Sequence, residues 1–267
     1  MSFTRIFVFL IPFIVLINCS GPEQLSVFQE DQALEVDGNL TNWNTNETLL
    51  KSTSEVDYFA ATYGNNLYIF VDVKGLVKHS GILKSGLIVY FGTSEDNRRR
   101  TGIAYPPGSY NLLREYPNSF ESFTTEVEWS RKPENTEMLE NLQEEMFSSV
   151  MIVERHDESN RPEYGFIDKS QLEVDGIEIA TNRDQRYLTI EMKIPLGETP
   201  LFNLSSNKIW LGFSIEPPEF NFRDESSNVS RNQRDSYAER SRREANMRYA
   251  ISRNLGQGQD WFIINVE

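Results

Sequence analysis

The stretch Leu34–Val73 constrains this chain more than any other. Its second half reads VDYFAATYGNNLYIFVDV and alternates strictly: Leu67, Ile69, Val71 and Val73 fall on one side, Tyr68, Phe70 and Asp72 on the other. A period of two marks a strand with one face in a core. Gly64-Asn65-Asn66 stands before it, after Tyr58–Tyr63. Gly and Asn tolerate positive φ, so a hairpin is predicted there. The alternation returns in Gly86–Gly92, Arg186–Ile194 and Ile209–Ile215, and DWFIINVE supplies a closing strand. Gly102–Tyr105 reads as a short strand stopped by Pro106-Pro107. The fold class predicted is mainly β: an antiparallel β-sandwich of jelly-roll or immunoglobulin-like kind, with a helical insertion.

The insertion is placed at 109–170, where the β rhythm breaks. Pro133–Phe147 reads as a helix, with Met138, Leu139, Leu142, Met146 and Phe147 on one apolar stripe. A second insertion, 221–253, is rich in Arg, Ser, Asn and Glu and includes Arg240, Arg243 and Tyr249. LEVDG occurs at Leu34–Gly38 and again at Leu172–Gly176. The flanks do not match, so this is similar turn chemistry and not a repeat.

The one cysteine, Cys19, ends an apolar run from Ile6 to Ile17 that follows Arg5. The run is short for a spanning helix and suits a signal-peptide core. Leu16-Ile17-Asn18-Cys19 resembles a bacterial lipobox, with Asn18 where a smaller residue is usual. The resemblance implies a signal peptide over 1–18, lipidation at Cys19 and a membrane partner through the lipid. Residues 19–31, SGPEQLSVFQED after the cysteine, read as a polar tether, and 32–267 as the sandwich. Net charge of −14 disfavours nucleic acid, which needs clustered cations. Arg98-Arg99-Arg100 form such a cluster in miniature and read as a solvated hairpin tip.

Taken in order, VDGNLTNW, NLYIFVDV, GLIVYFG, YLTIEMKIPLG and KIWLGFSIEP resemble the family 9 carbohydrate-binding module and DOMON-like superfamily. Asp37, Gly38 and Trp43 match an early DG…W segment. Leu67-Tyr68 match an LY strand. Glu191, Ile194 and Pro195 match a late E-x-x-IP strand, and Leu211, Gly212 and Phe213 the strand after it. The resemblance spans about Leu34 to Pro218 and implies a β-sandwich. With the lipobox, the chain looks like lipoproteins of Bacteroidetes-type bacteria, placed at the cell envelope and expected at the outer membrane.

A glycan or an envelope protein is the expected partner. Sugars stack on aromatic faces, and of the four Trp residues Trp129, within the insertion, is the ligand-binding candidate by expected exposure. Trp43 fits the structural motif. Trp210 falls out of phase with Ile209 and Leu211 and so faces away from the core, and Trp261 belongs to the closing strand. Asp37, Asn39 and Asn42 offer oxygens for calcium, though turn chemistry accounts for the same residues. Otherwise no cofactor is expected. His79 and His156 stand far apart, which argues against zinc, and no Met pairs with either at a spacing that suggests haem. No GxSxG, HExxH or phosphate-binding loop is present, and no catalytic residue is assigned.

Overall fold

The computed structural model describes residues 22–116, 119–120, 122–123, 126, 128–156, 162–183, 187–216 and 258–266. Among them two sheets face each other. Numbered in chain order, the first sheet runs β1 (Glu23–Ser26), β13 (Gly258–Asn265), β12 (Lys208–Ile215), β6 (Ile88–Gly92), β7 (Thr101–Ala104), β8 (Ser149–Glu154), β9 (Glu163–Asp168). The second runs β10 (Glu178–Arg183), β11 (Leu188–Pro195), β5 (Asn66–Val73), β4 (Val56–Tyr63), β2 (Phe28–Gln29), with β3 (Leu49–Ser52) also on β4. Pairing is antiparallel except for β1 on β13 and β2 on β4, which are parallel. The molecule is a β-sandwich, as its alternation predicts.

Inward residues of the two sheets build the main core. Leu67, Ile69, Val71 and Val73 of β5 meet Val89, Phe91, Leu211 and Phe213. Each such side chain contributes about 1.5–3 kcal/mol by leaving water. The predicted hairpin forms, with β4 and β5 paired from Val56↔Val73 to Tyr63↔Asn66 and Gly64 at φ 57°.

The other face of that hairpin is also buried. Tyr68 and Phe70 pack with Phe59 and Trp43 beneath Leu34. The segment ahead of β3 lies across the second sheet and gives it a small core of its own. Alternation alone cannot separate a face that meets water from one covered by a remote segment.

Two predicted boundaries are corrected. Residues 23–29, read as tether, supply β1 and β2, because backbone pairing with β13 and β4 does not require an apolar run. Leu25 and Val27 also pack against the main core. The region 109–170 is not wholly an insertion, since β8 and β9 complete the first sheet beside β7. Among the described residues, helices α1 (Leu76–Ser85), α2 (Ser109–Glu115), α3 (Pro133–Glu145) and α4 (Lys169–Val174) flank the sheets. Of these only α3 was predicted. Its Leu142 packs with Leu112 of α2 and with Phe120, and Met138 and Leu139 join them. The two LEVDG copies do share turn chemistry: Gly38 has φ 79° and Gly176 φ 78°. Asn182 and Arg183 lie inside β10, opposite Thr189 and Leu188 of β11. Residues 1–18, read as a signal peptide, Cys19, the stretch 221–253 and Asp184 lie outside the described residues.

Candidate functional site

The outer face of the first sheet carries rings laid flat over glycines. One row of cross-strand neighbours reads Trp261 on β13, Gly212 on β12, Tyr90 on β6 and Gly102 on β7. Any Cβ on Gly212 would overlap the Trp261 ring, and one on Gly102 would stand 2.8 Å from Tyr90 Cδ1. The missing side chains let each ring tilt across the neighbouring strand. Trp261 and Tyr90 stack over Gly212, with centroids 6.0 Å apart and planes 17° apart. The next row pairs Trp210 with Gly92. Backbone of Arg98 lies against Gly92, which brings the β6–β7 loop back over the sheet.

That loop corrects the reading of Arg98-Arg99-Arg100 as a solvated tip. Arg98 Cζ lies 5.4 Å from the ring centroids of both Trp210 and Trp261. Arg99 covers the Tyr90 ring at 5.5 Å, and its Nη2 donates to Glu216 Oε2 at 2.6 Å. The Tyr90 hydroxyl donates to Glu216 Oε1, and Ser214 Oγ donates to Oε2 at 3.2 Å. Burial, with the Glu216 charge beside it, pushes the Tyr90 phenol far above its ordinary value. It is a neutral donor at any physiological pH. Trp261 remains part-exposed, with its Nε1 donating to Gln259 Oε1 at 2.9 Å. The face offers a part-exposed indole, a guanidinium lying over it and polar groups fixed by mutual hydrogen bonds. It can stack a flat apolar face and hydrogen-bond its rim.

Trp129 is not in this arrangement. Its ring is 6% exposed and meets Phe123 edge-on at 5.9 Å, beside α3. The expected exposure is absent because α3 and the turns before it fold onto each other, which a linear stretch ending EVEWSRKP does not reveal. Beside it, Leu112, Phe123, Leu139 and Leu142 line an apolar cleft of about 280 Å³.

The segments DG…W and E-x-x-IP meet at one carboxylate. Glu191 on β11 is fully buried; its Oε2 accepts from the backbone N–H of Asp37 (3.0 Å) and Gly38 (2.8 Å), and its Oε1 from Trp43 Nε1 (2.9 Å). These bonds clamp the crossing segment onto the second sheet. Two of the oxygens considered for calcium are bonded within this turn: Asp37 Oδ1 accepts from Asn39 N at 2.8 Å, and Asn39 Oδ1 from Asn182 Nδ2 at 2.9 Å, whereas Asn42 Oδ1 is buried with no hydrogen-bond partner among the described residues. His79 is buried on α1, whereas His156 is exposed beside Glu163.

Sequence reasoning missed Tyr90, Arg98 and Trp261 as a group. A signal existed: Gly92, Gly102 and Gly212 each interrupt a strand, and glycine in a strand marks a close approach. Which rings would fill the space depends on the strand order.

Fold and face together define a β-sandwich with an aromatic outer surface covered in part by Arg98 and Arg99. No family model matches the sequence, and no curated protein matches it. Among solved structures the chain is similar to a carbohydrate binding module family 9 from Caldicellulosiruptor kristjanssonii in complex with cellotriose. Identity is 9%, over 73% of this chain and 77% of that one, with a TM-score of 0.33.

Proposed function

We propose that this chain is a lipid-anchored, non-catalytic binding protein of the bacterial cell envelope, held through Cys19 at the outer membrane, and that it takes a glycan at Trp261. One observation carries the reading. The Trp261 indole lies against Gly212 and stays part-exposed, with the Arg98 guanidinium over its ring at 5.4 Å and Gln259 accepting from its Nε1. A sugar ring has an apolar C–H face and a polar rim, and this surface offers the complement of both.

The test is a glycan array with the full chain in detergent, run beside Trp261→Ala and Trp129→Ala. Weak binding is expected, about millimolar to micromolar, or roughly −4 to −8 kcal/mol. Trp261→Ala should abolish it and Trp261→Phe should keep part of it. Trp129→Ala should lower the melting temperature and spare binding. Binding that survives Trp261→Ala places the site elsewhere. If no glycan binds and one envelope protein cross-links instead, an accessory-subunit role replaces this reading.

A further inference from the structure

We propose that the glycan taken at Trp261 is acidic, carrying carboxylate or sulfate ester groups, and that Arg98 and Arg100 read its charge. This rests on the glycan reading above and adds the substrate class. The chain carries a net −14, so its overall field repels polyanions. Against that background the cations at this one rim stand out. Arg98, Arg99 and Arg100 follow one another in the folded-back loop.

Their charge is unevenly spent. Arg99 is held by Glu216 at 2.6 Å. Arg98 has only Glu95 among the described residues, at 3.4 Å, and that carboxylate is 70% exposed. So exposed a pair holds the guanidinium only weakly. Arg100 is exposed and has no ion pair among the described residues. The Arg98 guanidinium is also preorganised, because the two indoles hold it 5.4 Å from each centroid. A planar, oriented fork suits the two oxygens of a carboxylate or sulfate, and little ordering entropy remains to be lost on binding. A neutral sugar would leave these donors to water. An acidic one uses them while its ring stacks on Trp261.

The experiment measures binding of the full chain in detergent to polygalacturonate, a sulfated galactan, a neutral cello-oligosaccharide and a DNA oligonucleotide, at low and high salt. At least one acidic glycan should bind about tenfold more tightly than the neutral one, and salt should erode the difference. Comparing the two acidic probes tells carboxylate from sulfate. Arg98→Gln and Arg100→Gln should each weaken acidic binding several-fold and leave any neutral binding unchanged. Arg100 is exposed, so its variant reads charge without disturbing the fold. Neutral binding equal to acidic binding overturns this inference and leaves the glycan reading standing. DNA bound as tightly as the acidic glycans overturns it as well, since the rim would then be a general polyanion surface. Absence of all glycan binding removes both. Acidic binding unchanged in both variants assigns the charge reading to other residues and overturns the proposal.

Discussion

Glu191 is a fully buried carboxylate held by three N–H donors. Burial pushes it up from its ordinary 4.5 to about 7, against the pull of those donors, and the Asp37 charge adds to the rise. Between those two values the folded chain keeps a proton that the unfolded chain has released. The stability tied to this group is therefore complete below pH 4.5 and lost as pH rises through about 7. The loss is about 3 kcal/mol. Glu191→Gln cannot titrate. Urea midpoints across this range should fall for the natural chain relative to the variant, and parallel profiles would remove the effect. Trp43, Asp37 and Gly38 are bound to this one group, so the family-like motif is a structural clamp in this molecule.

Among the elements, β1 and β13 decide whether the first sheet is closed. Phe262 and Ile264 of β13 enter the main core, while Trp261 and Ile263 face outward. β1 covers what would otherwise be the β13 edge. A chain cut after Leu255 loses β13 and should be insoluble or lack a cooperative melt. Deleting residues 23–31 should be milder. It bares one edge and removes Leu25 and Val27, costing about 2–4 kcal/mol. A chain that starts at Pro22 serves as the reference in urea melts. Equal midpoints for the two N-terminal forms would make β1 and β2 dispensable. Helix α3 follows the same logic: its apolar stripe packs on Leu112 and Phe120.

At the scale of the whole molecule, an acidic sandwich carries an aromatic face with Arg98 lying over its indoles. Anchoring would present that face near a membrane or wall surface. Diacylation holds a protein on a bilayer, whereas one chain does so marginally. Cys19→Ser should therefore leave the chain unlabelled by a fatty-acid probe and release it from membranes. Continued labelling of that variant would end the lipidation reading. Glycan binding by the released form should be unchanged, because the Trp261 face lies on the folded sandwich.

Strands β4, β5, β11 and β12 were legible from residues alone, since a period of two is local and each of these strands buries one face in the main core. So were the hairpin at Gly64, the outward phase of Trp210 and the core role of Trp43. What lay beyond reach depends on neighbours distant in the chain. β1 and β2 pair through backbone groups, which carry no side-chain signature. The outer face of β5 is buried by Leu34 and Trp43, which alternation cannot announce. Trp129 is covered by a helix and turns around it, and Trp261 keeps its exposure because Gly212, on the neighbouring strand, leaves room for the ring to lie down. Local periodicity is written in the order of residues. Exposure is a property of what packs on top, and only the tertiary structure decided it.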